Sequence, residues 1–229
     1  MSVLDVGCGT GAITVGIARA VGSGGLVVGL DRDTGMIDLA REKHGGETNL
    51  RFEVGDVLDL ASKERFDVVA AARTLQWVSN PGLAVSGMAN VTKSGGMVVV
   101  LDYNHSRNRW EPGAPAEFQV FYAAFLKWRE QNGWDNEMGD HLPLLFEEAG
   151  LQEVESREAD QAAERGCDGF EDKVELWPRV IENIGAKLIE AKYIDEDLLH
   201  SARIKFEDFA ANTLKTQVLA MRSVVGRKA

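Results

Sequence analysis

The sequence predicts an α/β protein built on a doubly wound, mostly parallel sheet of seven strands. Three observations predict it. Short apolar runs alternate with helix-period segments through residue 101. The first run passes straight into a glycine loop, and the run at 66–71 is apolar throughout, as a central strand covered on both faces should be.

Val3-Leu4-Asp5-Val6 is the first strand and leads into Gly7-Cys8-Gly9-Thr10-Gly11. Residues 12–21 follow as a helix, with Ile13, Ile17, Ala20 and Val21 expected on its inner face, and Gly22-Ser23-Gly24-Gly25 ends it. Residues 26–30 form a second buried strand closed by Asp31. A helix over 34–43 should turn Met36, Ile37 and Ala40 inward, and a third strand covers 50–54. After the strand at 66–71, Asn80-Pro81-Gly82 introduces a helix through Val91, and 97–101 is the fifth strand. Right-handed crossovers would align the strand ends and their loops on one edge, where ligands bind.

The texture changes after Asp102. Residues 103–134 hold 8 of the 17 aromatic side chains, and Phe118, Phe121, Tyr122, Phe125 and Trp128 recur at three and four residues within a helix over 117–130. Residues 142–149 read as a short helix stopped by Gly150, 151–157 as a strand, and 170–214 as helix broken near Asp195. Residues 216–225 read as a returning edge strand. This predicts three segments: 1–103 as the core half that carries the glycine loop, 104–149 as an aromatic helical lid, and 150–229 as closing strands with a helical insertion at about 170–214.

Composition narrows the function. A net charge of −11, with no concentrated basic stretch, argues against a nucleic-acid substrate. No apolar run reaches the roughly 18–20 residues of a membrane span. Only Met1 and Ser2 precede the first strand, with no leader pattern, and Cys8 and Cys167 are too few for a disulfide framework. A reducing cytoplasm is therefore expected.

The glycine loop carries the chemistry. Glycine lets backbone turn sharply and approach a ligand that a Cβ would obstruct. A dinucleotide site asks for Gly-x-Gly-x-x-Gly facing a pyrophosphate. Here the spacing is Gly-x-Gly-x-Gly, and Asp5 stands two residues before it. An acid there opposes pyrophosphate and suits a ligand carrying an ammonium and a sulfonium.

The stretch from Val3 to Gly11 resembles the first motif of the class I S-adenosylmethionine-dependent methyltransferases. The resemblance continues in order through the first half of the chain and implies a Rossmann-like fold and that cofactor, with S-adenosylhomocysteine as product. It implies that Asp5, Gly7, Cys8, Gly9, Thr10 and Gly11 cradle the methionine end, and that Asp31, 20 residues past Gly11, holds the ribose hydroxyls. Arg32 and Met36 would flank the adenine, Asp56 would take its amino group and Val57 a ring nitrogen. Arg73 follows the fourth strand at the transfer mouth. In that family a helix normally precedes the first strand. Its absence here would leave Val3 to Val6 uncovered on one side, or covered by a second copy or a partner chain.

Methyl transfer from a sulfonium needs mainly alignment and exclusion of water. Oxygen and carbon acceptors can also need a base, for which His105, His141 and Tyr103 are candidates. Gln76, Trp77, Trp110 and Trp134 are candidate pocket residues. No catechol-type cluster of metal-binding acids is present in the sequence. The second half resembles the ubiquinone/menaquinone-biosynthesis-like branch, which implies transfer to O, C or N of a small, fairly apolar molecule. A non-catalytic partner subunit on the same fold, or a protein methyltransferase, is the alternative.

Overall fold

The computed structural model describes residues 1–60 and 65–229. In chain order the elements begin β1 (Ser2–Val6), α1 (Ala12–Val21), β2 (Leu26–Asp31), α2 (Thr34–His44), β3 (Leu50–Val54), β4 (Phe66–Ala72), α3 (Pro81–Val91) and β5 (Thr92–Tyr103). The second half adds β6 (Arg109–Glu111), α4 (Ala116–Gln131), α5 (Met138–Glu148), β7 (Gln152–Glu158) and β8 (Gln161–Glu164). It closes with α6 (Phe170–Val174), α7 (Leu176–Glu190), α8 (Glu196–Asn212), β9 (Thr216–Leu219) and β10 (Met221–Arg227).

Seven strands make one sheet in the order β3-β2-β1-β4-β5-β10-β7. Strand β1 runs parallel to both β2 and β4, with Leu4 opposite Val28 and Val69. Strand β7 is antiparallel to β10. Order reverses beside β1, the crevice position where open α/β sheets bind ligands. A second sheet of three strands, β6-β9-β8, was not foreseen from the sequence.

The chain forms two compact units. The first comprises Met1–Asp102, Met138–Glu158 and Arg222–Ala229. Its core brings Leu4, Val6, Val28, Val69, Val98 and Val100 from the sheet together with Val85, Met88, Leu142 and Phe146 from α3 and α5. At the lower edge, Asp67 joins three strands. It accepts the Ser2 N–H at 2.6 Å and the Lys93 Nζ–H at 2.8 Å. The second unit comprises Tyr103–Glu137 and Ala159–Met221. In it Phe118 packs 4.3 Å from Phe206 between ring centroids, so the α4 stripe is core against α8.

Four expectations are corrected. Residues 216–225 are two strands in different sheets, and neither is the edge of the seven-stranded one. The chain changes sheet at Ala220, whose N–H donates to Asn108 Oδ1 at 2.8 Å and whose carbonyl accepts from Asn104 N at 2.8 Å. Helix α1 buries Thr14, Val15 and Ala18, while Ile13 is 44% exposed. Helix α2 buries Ile37 and Ala40 but leaves Met36 exposed. Strand β1 has lost no cover: Val3, Leu4 and Val6 are buried, with Val3 packed on Ala18 and Val27.

Candidate cofactor site

The loop after β1 is fixed by its own backbone and by β2. The N–H groups of Gly7 and Cys8 both donate to Leu30 O, at 2.7 and 3.0 Å, and Gly11 N donates to Cys8 O at 3.0 Å. Gly7 sits at φ +69° against Thr74, where a Cβ would come within 2.3 Å of the threonine side chain. At Gly9 a Cβ would instead meet nothing within 4 Å, so the loop presents bare backbone to open space.

Two acids frame this loop. Asp31, closing β2, accepts Gly9 N–H on Oδ2 at 2.8 Å and Asp33 N–H on Oδ1 at 2.9 Å. Each carboxylate oxygen keeps a further lone pair. Asp5 is 3% exposed and accepts from Thr14 Oγ1 at 2.6 Å. Burial pushes its carboxyl up to about 6, the Thr14 hydrogen bond works against that, and the charge of Asp31 adds to it. Burial, with the charges of Asp5 and Asp31, likewise pushes the Cys8 thiol up to about 12, so it stays protonated. A loop with open space at Gly9, framed by two acids, matches a ligand with hydroxyls and a cationic end.

The other residues expected around the cofactor fall on the neighbouring strand ends. Asp56 caps the turn Val57–Asp59, accepting Leu58 N–H at 2.9 Å, and Val57 is buried. Arg32 and Met36 are exposed at the start of α2. Arg73 follows β4 at φ +59°, an unusual conformation for a side-chain-bearing residue, held by its N–H to Leu101 O at 2.7 Å. Gln76 is buried, its N–H donating to Asp102 Oδ2 at 3.1 Å, and Trp77 is half-buried in the same turn. Thr14 is the residue sequence reasoning missed. Its signal was a threonine on the first turn of a helix whose only other polar side chain is Arg19, nine residues after Asp5.

The remaining candidates are divided between the units. Tyr103 and His105 belong to the second, their rings stacked at 5.1 Å. His105 is buried, and burial together with the charge of Arg129 holds its imidazole down at about 3, so it is neutral at physiological pH. Trp110 lies in β6, donating Nε1–H to Gln217 Oε1 at 3.0 Å, its ring packed edge-on against Phe118 and Trp177. Trp134 packs edge-on against Trp128 at 5.2 Å. His141 lies on α5 in the first unit. Among the described residues no group of three His, Cys, Asp or Glu could hold a metal ion, and no helix is long and apolar enough to cross a membrane.

A sheet of this order, with a glycine loop after β1 and an acid ending β2, has the Rossmann-like α/β architecture that the resemblance implies. A methyltransferase-domain family matches residues 1–150. The demethylmenaquinone methyltransferase of Staphylococcus aureus (strain MRSA252) is 31% identical over 176 residues, 69% of this chain and 70% of that protein. The enzyme of the same name from Staphylococcus haemolyticus is 31% identical over 172 residues, 67% and 70% of the two chains. Among solved structures, YcgJ of Bacillus subtilis superposes with a TM-score of 0.62 at 15% identity, over 99% of this chain and 91% of that one. Phosphoethanolamine N-methyltransferase 2 of Haemonchus contortus, in complex with S-adenosyl-L-methionine, gives 0.59 at 15% identity; all of this chain aligns, to 48% of that one. The two structures share the fold. The chain belongs to the S-adenosylmethionine-dependent methyltransferase family, in its quinone-biosynthesis-like branch, and is an enzyme of that class.

Proposed function

We propose that the enzyme methylates a small, apolar acceptor of the naphthoquinol class, with the cofactor seated along the β1 loop. The observation that carries this reading is the 31% identity to staphylococcal demethylmenaquinone methyltransferases across 69% of the chain. Bound S-adenosylmethionine supplies an activated methyl group on sulfonium, open to in-line displacement. Within residues 7–11, Gly9 would offer the methionine end unobstructed backbone. Asp31 has lone pairs left for the ribose hydroxyls, Asp56 would accept from the adenine amino group beside Val57 N–H, and Arg32 and Met36 would line that base. Asp5 would face the cationic end.

Methylation at a ring carbon releases one ring proton as the new C–C bond forms and the C–S bond breaks. His105, neutral and weakly basic, suits hydrogen bonding to the acceptor rather than taking that proton. His141 and Tyr103 remain the proposed bases, with Gln76, Trp77, Trp110 and Trp134 the proposed acceptor contacts and Arg73 a proposed cofactor contact. Two free cysteines are in keeping with a reducing cytoplasm. A second copy or partner chain would cover exposed Met1 and Ile13.

The test is anaerobic incubation with methyl-labelled S-adenosylmethionine and a short-chain demethylmenaquinol, with phosphoethanolamine and a peptide as competing acceptors. The expected product is the quinol heavier by one methylene. Label transferred to the amine or the peptide and not to the quinol would overturn the reading.

A further inference from the structure

We propose that Thr14 is a positioning residue for the cofactor, its hydroxyl orienting the Asp5 carboxylate beneath the glycine loop so that it faces the cationic end of S-adenosylmethionine as an anion. This rests on the seating of the cofactor along that loop.

The geometry carries the argument. A threonine inside a helix ordinarily returns its hydroxyl to a carbonyl of the preceding turn. Thr14, on the first turn of α1 and fully buried, instead donates to Asp5 Oδ2 at 2.6 Å. The bond links β1 to α1 across the five residues of the loop. It also explains the rotation of α1: turning Thr14 inward brings Val15 and Ala18 to the sheet and carries Ile13 outward.

The electrostatic setting gives the bond a consequence. The groups acting on Asp5 are the Thr14 hydroxyl from α1 and the Asp31 carboxylate from β2, with the protonated Cys8 thiol beside them on the loop; none is a cation. Burial lifts the Asp5 carboxyl to about 6, and the Thr14 hydrogen bond is the one influence drawing it back toward the anion. A cationic ligand next to Asp5 selects the ionised form, so affinity should fall as pH drops below about 6. Without the Thr14 hydroxyl, the same fall should begin about one pH unit higher.

The experiment is calorimetric titration with S-adenosylmethionine across pH about 5 to about 9, on the whole chain and on Thr14→Val, Thr14→Ser and Asp5→Asn, each checked for fold by circular dichroism. Thr14→Ala replaces the valine variant if that one does not fold. We expect Thr14→Val to match the parent affinity at the alkaline end and to weaken about fivefold near pH 6 and about tenfold near pH 5, with the midpoint displaced upward by about one unit. Thr14→Ser should restore the parent profile and Asp5→Asn should flatten it. A uniform loss at every pH in Thr14→Val, or an unmoved midpoint, would overturn the proposal. If Asp5→Asn also leaves the affinity and its pH profile unchanged, the seating of the cofactor beside Asp5 fails as well. If Asp5→Asn alone alters the profile, only the role of Thr14 fails.

Discussion

The Asp31 carboxylate at the end of β2 accepts the backbone N–H of Gly9 at 2.8 Å, so the residue proposed to hold the ribose also holds the loop proposed to cradle the methionine end. One substitution therefore reaches both halves of the site. Asp31→Ala should weaken S-adenosylmethionine binding by about 1–3 kcal/mol, since a charge-assisted acceptor is lost and a loop amide is released. Hydrogen exchange at Gly9 in the same variant should accelerate without a comparable change in β4.

Gly7 is irreplaceable for a steric and a conformational reason together. Its φ of +69° disfavours a Cβ, and that Cβ would meet Thr74 at 2.3 Å. Thr74 has little freedom to withdraw, because its one hydroxyl proton has the carbonyls of Ala72, Val6 and Gly7 as acceptors at 3.2–3.4 Å. Gly7→Ala should cost about 2–4 kcal/mol in urea unfolding. Adding Thr74→Ala should return only the part that comes from Cγ2 and Oγ1, because the Cβ at 74 would still lie 2.8 Å from the added methyl.

The buried carboxyl of Asp5 costs the cofactor-free protein stability at neutral pH. Its folded value of about 6 lies above the unfolded one, so the stability it contributes is present in acid and lost as pH rises through about 6. Asp5→Asn should therefore stabilise the free protein above pH 7 by on the order of 2–3 kcal/mol, with the gain vanishing near pH 4. Thermal melts across that range check it. A more stable protein that binds its cofactor less well is the trade expected of a residue kept for function.

Asp67 behaves in the opposite sense. The Lys93 ammonium, with the Ser2 N–H and hydroxyl, holds its carboxyl down at about 2. The stability it contributes is present above the ordinary carboxylate range and is lost as pH falls toward about 2. Asp67→Asn should lower the melting temperature at pH 7, and the difference from the parent should close between about pH 4 and about 2.

The cofactor half was the legible half, because local signals mark it. The bounds of α1 and β3 fall where helix period, apolar run and glycine punctuation put them, and Asp195 caps α8 by accepting Leu198 N–H at 2.8 Å, as an acid at a helix start should. Non-local partners defeated the reading elsewhere. Strands β6, β8 and β9 are three or four residues long and pair across more than 50 positions, which no periodicity announces. The break at Ala220 depends on Asn104 and Asn108, more than 100 residues earlier. In the site, Gly7 stood out by type and spacing, and Asp31 and Asp56 through the family resemblance. Thr14 did not, since its partner becomes apparent only once α1 is laid against β1.

The central claim is that this chain binds S-adenosylmethionine through the β1 loop and Asp31, and calorimetric titration of the parent protein at pH 8, alongside Asp31→Ala, tests it most directly. The account predicts saturable heat at one cofactor per chain, with affinity lowered at least several-fold in the variant. No heat at millimolar cofactor, or equal affinity in the two proteins, would contradict it.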